Sequence, residues 1–282
     1  MKAFLGMGLL GSNFVKAMLK KGEQVQVWNR TASRAAALEA FGAKAFADSK
    51  DAVKGAHIIH LTIKDDASVD EVLHAAAPGF MKGAIIIDHT TTSAAGAIAR
   101  TKEWKEKGFT YLHAPVFMGP VNALDSSGYM LVSGDQQVIA NVQESLSAMT
   151  GKLLNFGDET GKAASLKLIG NLFLLTLTTG IADTLALAKA SGISANDVTT
   201  LFDSFNPGAA MPARMKRIMT GKFNEPSWEL VMARKDAGLM MDAAAKGNVK
   251  LTIIPSIVSA MDKWIEKGHG NDDWSIIAKD SL

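Results

Sequence analysis

Residues 6 to 11 read "GMGLLG", a G-x-G-x-x-G hexapeptide that follows the apolar stretch "KAFL" and opens a helical pattern running from about Ser12 to Lys21. That order narrows what the chain can fold into. A strand must end, turn tightly and feed a helix within a few residues. Gly6 permits the turn, Gly8 lets the backbone approach a ligand closely, and Gly11 lets helix and strand pack against each other. The N–H groups that open the helix then face whatever lies beyond the turn, and they favour an anion. Strand, glycines and helix in this order predict a pyrophosphate cradle for a dinucleotide, with Met7, Leu9 and Leu10 completing the loop.

The next 150 residues keep the same alternation. Short apolar runs "QVQVWN", "HIIHLTI", "AIIIDHT", "TYLHAPV" and "GYMLVSG" are strand-like, and "SRAAALEAFG", "ASVDEVLHAAA" and "VIANVQESLSAM" carry helical periodicity. Strands separated by helices imply βαβ units and a parallel sheet, so an α/β Rossmann domain is predicted over residues 1–157. From about Gly161 only helical patterns follow, with periodic Leu, Ala and Met. An all-α domain is predicted over 158–282, joined to the first by a long helix spanning about 161 to 191.

Charge and composition then exclude several functions. The net charge of +2 provides no basic field for nucleic acid or anionic lipid. No cysteine is present, which excludes disulfides and thiol chemistry and fits a reducing cytoplasm, the expected location. Lys16, Lys20 and Lys21 interrupt the start of the chain and argue against a secretory signal there. The apolar run Leu168 to Ala182 carries Asn171 and three threonines and falls short of a membrane span, so no membrane partner is expected. The six histidines show no metal-ligand spacing, and no metal is expected.

The end of the second strand bears on the cofactor. A site for NAD usually presents an acidic residue there to the ribose hydroxyls, whereas "WNRTASR" presents Asn29, Arg30, Thr31 and Arg34. Two guanidinium groups and a hydroxyl suit a 2′-phosphate, so NADP(H) is the expected cofactor.

Lys167 and Asn171 stand four residues apart in a stretch that otherwise resembles a buried helix, "ASLKLIGNLFLLTLTTG", and project from one face. Two accounts fit these residues equally. A lysine desolvated beside a substrate can exchange a proton near neutral pH. Alternatively, the lysine reaches back to solvent and the asparagine bonds a neighbouring backbone group.

The joint pattern resembles the β-hydroxyacid dehydrogenases, the family of 3-hydroxyisobutyrate dehydrogenases and glyoxylate/succinic semialdehyde reductases. The resemblance rests on "GMGLLG", "VWNRT", "IIIDHTTTS", "HAPVFMGPVNALDSSGYMLVSG", "GKAASLKLIGN", "ARKDAGLMMDAA" and "DDWSII", and so spans essentially the whole chain. It implies hydride transfer between NADPH and a small carbonyl compound, with Lys167 as general acid/base and Asn171 holding the substrate. It also implies that Ile63 and Lys64 lie beside the nicotinamide ribose, Thr91 on the nicotinamide side and Lys235 against the cofactor. A homodimer or homotetramer formed through the helical domain is expected.

Three departures from the family pattern stand out. Where the substrate loop commonly reads Asp-Ala-Pro-Val-Ser-Gly-Gly, this chain has His113 to Gly119 with Phe117 and Met118 in place of a hydroxyl and a glycine, which predicts substrates with an apolar body. Gly170 replaces the first of two asparagines, and Lys64 replaces a proline. Two other functions remain as alternatives: C=N reduction by a related imine reductase, and cofactor binding without turnover. Relatives of the imine type generally lack a lysine at the position of Lys167, which favours carbonyl chemistry.

Overall fold

Alternation along the strands decides where the core of the first half forms. In the computed structural model, which describes residues 1–282, the chain begins with β1 (Lys2–Leu5), α1 (Leu9–Lys20), β2 (Val25–Trp28), α2 (Ala32–Ala36), β3 (Lys44–Ala45) and α3 (Ser49–Ala52). It continues through β4 (Ile58–Leu61), α4 (Asp66–Ala76), β5 (Ile85–Asp88), α5 (Ala94–Glu106) and β6 (Thr110–His113). These six strands make one parallel sheet of order β3-β2-β1-β4-β5-β6, the Rossmann order. In register, Val27, Phe4, His60, Ile87 and Leu112 form one row across the sheet, and Gln26, Ala3, Ile59, Ile86 and Tyr111 form the adjacent row. Period-two pleating sends the rows to opposite faces, and each face is covered by its own buried apolar cluster.

The run "TYLHAPV", expected as one strand, is divided. β6 ends at His113, and Val116–Phe117 forms β7, which pairs antiparallel with β8 (Tyr129–Val132) in a separate sheet. Pro115 stands at the break and has no N–H to continue a ladder. Between β7 and β8 lies α6 (Pro120–Asp125); α7 (Gln136–Ser147) and β9 (Lys152–Asn155) follow, and β9 pairs parallel with β8.

Helix α8 (Lys162–Ala190) starts in the first of two compact units, Met1–Leu172, and continues into the second, Phe173–Leu282. The second unit holds the rest of α8, then α9 (Ala195–Ser204), α10 (Met211–Met219), α11 (Leu230–Lys246) and α12 (Ile254–Glu266), with a 3₁₀ turn at each of Pro207–Ala210 and Trp274–Ser281. It contains no strand of a sheet, and its core gathers Phe223, Leu230, Ala233, Met261, Trp264 and Ile276. Asp183 of α8 accepts the backbone N–H groups of Thr252 (2.7 Å) and Ile253 (2.9 Å) and so caps the approach to α12. Burial opposes its ionised form, yet these donors hold its pKa below the usual carboxylate value.

Candidate active site

The glycines of the first turn do what the spacing predicts. Gly6 has φ +99°, a left-handed conformation, and a Cβ there would meet Ile63 Cδ1 at 2.9 Å. A Cβ on Gly11 would collide with the Gly6 carbonyl and approach Thr62 Oγ1 to 2.6 Å. Beyond Gly8, by contrast, there is open space within 4 Å. Gly8 is the N-cap of α1, with no capping side chain and no acidic residue in the first turn. An uncapped helix start facing open space suits a pyrophosphate, so these residues fit a dinucleotide.

The end of β2 lies beside the glycine turn. Asn29 is committed to the protein: its Oδ1 accepts from Met7 N at 2.8 Å, and its Nδ2 donates to the Thr31 carbonyl at 2.9 Å. It therefore holds the glycine loop to the end of the strand. Arg30, Thr31 and Arg34 are exposed and, with Gly8, Ile63 and Lys64, line a cavity of about 350 Å³. Arg30 pairs with Glu71 at 2.9 Å, and Lys64 lies 3.6 Å from Asp65.

Strands β4 and β5 supply the next wall. Thr62 Oγ1 donates to the Gly6 carbonyl at 3.1 Å, and Ile63 N donates to Thr90 Oγ1 at 2.9 Å. Asp88 accepts from Thr90 N at 2.8 Å and from the Tyr111 hydroxyl at 2.7 Å, so the segment after β5 is fixed from below while Thr91 stays exposed. His89 Nδ1 lies 2.8 Å from the Ala114 carbonyl, which can only accept, so Nδ1 carries the proton. Its Nε2 then accepts from His60 Nδ1 at 3.0 Å, which leaves His60 Nε2 without a partner. Burial lowers the His89 pKa to about 4 and that of His60 well below the ordinary value, so both rings are neutral near pH 7.

A cleft of about 370 Å³ opens above these strand ends, lined by Gly8, Leu10, Ile63, Thr91, Met118 and Lys167 among others. Lys167 is buried, and its Nζ donates to Asn171 Oδ1 at 3.0 Å. The ammonium lies 4.1 Å from the centre of the Phe117 ring. Burial pushes the lysine pKa below its ordinary value. Gly119 donates its N–H to Asn122 Oδ1 at 2.9 Å and is not open to a ligand. Most sequence-predicted residues of the first unit thus line the cavity beside Arg30 or this cleft, with Gly8, Ile63 and Lys64 shared by both, whereas Met7, Gly11, Phe117, Gly119 and Asn171 line neither. Lys235 lies on α11 of the second unit, exposed, 3.1 Å from Asp236. Motif reading missed His60, His89, Asp88 and Asn122. The run "DHTTT" at a strand end was the available signal for Asp88 and His89, because polar residues there have no apolar function, whereas His60 lies within the apolar run of β4.

Comparison with known proteins agrees with this fold. Residues 2–157 match the NAD binding domain of 6-phosphogluconate dehydrogenase, and residues 159–281 match the C-terminal domain described as NADPH-dependent reductive aminase-like. The 2-(hydroxymethyl)glutarate dehydrogenase of Eubacterium barkeri is 26% identical, with 98% of this chain and 93% of that protein aligned. The 3-sulfolactaldehyde reductase of Escherichia coli is 24% identical over 98% of this chain and 93% of its own length. Among solved structures, an imine reductase from Myxococcus stipitatus in complex with NADP+ superposes with a TM-score of 0.92 at 22% identity over 99% of both chains. A reductive aminase from Aspergillus terreus in complex with NADPH4, cyclohexanone and allyl amine gives 0.90 at 21% identity over 100% of this chain and 99% of that one. At such identities the structural likeness speaks for the fold.

Proposed function

The chain belongs to the β-hydroxyacid dehydrogenase family, with the NAD-binding domain of 6-phosphogluconate dehydrogenase, and from that premise we propose that this pyridine-nucleotide oxidoreductase is an NADPH-dependent reductase of small carbonyl compounds in which Lys167 supplies the proton. The carrying observation is buried Lys167, which lines the same cleft as Gly8 and Thr91 and is held by half-buried Asn171 at 3.0 Å. When bound, the reduced nicotinamide supplies hydride to the substrate carbon. Asn171 takes one N–H of the lysine and so orients the ammonium. Lys167 then gives a proton from Nζ to the oxygen as it gains charge, and water restores that proton. Burial, by lowering the lysine pKa, brings it closer to the range in which acid and base forms both serve. Arg30, Thr31 and Arg34 favour a 2′-phosphate and thus NADPH over NADH.

The test is Lys167→Ala. We expect kcat for carbonyl reduction to fall roughly 10²–10⁴-fold, with NADPH affinity almost unchanged. Turnover close to wild type would place the proton donor elsewhere.

A second reading, reduction of C=N bonds, is supported by the match of residues 159–281 to the reductive aminase-like C-terminal domain. Against it stands the ammonium of Lys167, which repels an iminium cation and has no oxygen to protonate there. NADPH oxidation measured with a ketone alone, a ketone plus amine, and a preformed cyclic imine separates the two readings. Turnover of the imine alone would replace the first with the second.

The proposed assembly is a homo-oligomer through the helical segment, supported by the exposed apolar face of α8 that includes Leu174, Leu177 and Ile181.

A further inference from the structure

Two of the positions at which this chain departs from its family pattern touch each other. A Cβ built on Gly170 would overlap Phe117 Cζ and reach Cε1 at 2.8 Å. The ring therefore occupies the volume that any side chain at 170 would need. From that seat it presents its face to Lys167 Nζ, 4.1 Å from the centroid. An ammonium has three N–H donors. Asn171 Oδ1 takes one, and the ring face takes the side turned to it, which leaves a single donor direction toward the cleft.

We propose that Phe117 and Gly170 work as one specificity element, in which the ring seated on the bare glycine restricts Lys167 to one free N–H, so that the site takes uncharged, apolar carbonyl compounds and turns carboxylates away. This rests on the carbonyl-reductase reading of the same cleft. A carbonyl oxygen needs one donor, whereas a carboxylate is gripped by two or more donors converging on it. The Gly119 N–H on the same loop does not make up the difference, because it is already taken by Asn122. Phe117 is then a specificity-determining residue and Gly170 a positioning residue that acts through it.

Substitution at 170 in two backgrounds tests the pair. Gly170 lies inside α8, where alanine is the better helix former, so Gly170→Ala should raise Tm by a few degrees wherever its methyl group has room. We expect that rise in the Phe117→Ala background and its loss, or reversal, when Phe117 is present. The same four proteins are assayed with NADPH against benzaldehyde and glyoxylate. Wild type should prefer benzaldehyde. Gly170→Ala, by displacing the ring, should shift the kcat/KM ratio about tenfold or more toward glyoxylate, and should shift it less than about twofold when Phe117 is already alanine. An equal change in Tm in both backgrounds overturns the seating of the ring. Better turnover of glyoxylate than benzaldehyde by wild type overturns the selectivity. No NADPH oxidation with either substrate would sink the carbonyl reading itself, while the thermal cycle would still decide whether the two residues are coupled.

Discussion

Arg30 is already engaged: Glu71 lies 2.9 Å away on an exposed surface, where a 2′-phosphate would compete for the same guanidinium. Exposed ion pairs contribute little, typically under about 1 kcal/mol, so a phosphate should displace the carboxylate easily. Three outcomes are expected in nucleotide titrations. Arg30→Ala and Arg34→Ala each weaken NADPH by roughly 1.5–3 kcal/mol and NADH hardly at all. Glu71→Gln, which frees Arg30, tightens NADPH. Equal dissociation constants for the two nucleotides in wild type would contradict all three. Lys167 adds a pH dependence. Its pKa is lowered by burial, so the acid form is lost as pH rises through that lowered value, and kcat/KM for reduction should fall there while alcohol oxidation rises. The alkaline limb should vanish in Lys167→Ala. Of these residues, the arginines and the lysine were legible because charge at a strand end or in an apolar helix has few other uses. Asn29 was legible only as polar. That it secures Met7 N instead of facing outward depends on where the glycine loop comes to rest, which no local pattern encodes.

Between β1 and α1 three glycines have separable duties, and their alanine variants should divide accordingly. Gly11→Ala pushes a methyl into the Gly6 carbonyl and should destabilise the fold by more than about 2 kcal/mol, read by denaturant unfolding. Gly8→Ala meets nothing and should leave stability close to wild type while abolishing tight nucleotide binding. Matching losses of stability in both variants would count against this division. Strands β4 and β5 carry a second signature at low pH. His60 and His89 are neutral and buried when folded but free to bind protons when unfolded, so their contribution is complete above about pH 6.5 and declines as pH falls below it, that of His89 being lost toward about pH 4. For His89 alone that amounts to roughly 3 kcal/mol. The fall in Tm between pH 6.5 and 4.5 should therefore be smaller in His89→Asn. Helix α5 shows why some elements escaped the pattern. Its central Arg100, only 2% exposed, is paired with Asp66 and Asp70 across α4, so its inward face contains a charge that periodicity counts as outward. The division of β6 from β7 escaped for a different reason, because a proline inside an apolar run can end one strand or open another.

At the scale of the whole chain, the change from alternating to purely helical patterns near Gly161 was visible in the residues, whereas βαβ handedness fixes the sense of each crossover and not the strand order, in which β4 returns to pair with β1. What the residues did not disclose is how bare α8 is. Leu174, Leu175 and Ile181 are all more than half exposed, although the run itself reads as interior. The helix is long and apolar enough to cross a membrane by length and composition, but buried Lys167 and Asp183 lie on it, and Asp183 is spent on the backbone of Thr252 and Ile253. A protein cover suits these groups better than lipid does. In sedimentation experiments wild type should be an oligomer, and Leu174→Lys with Ile181→Lys, seven residues apart on one face, should yield monomer. A monomeric wild type would refute the proposed assembly. Under the proposed assembly, a surface of this kind would also make the fate of each newly synthesised chain depend on gene dosage. When copies are scarce, the uncovered helix waits longer for another copy and is a target for chaperones and proteases, so the yield of active protein should rise more steeply than in proportion to expression.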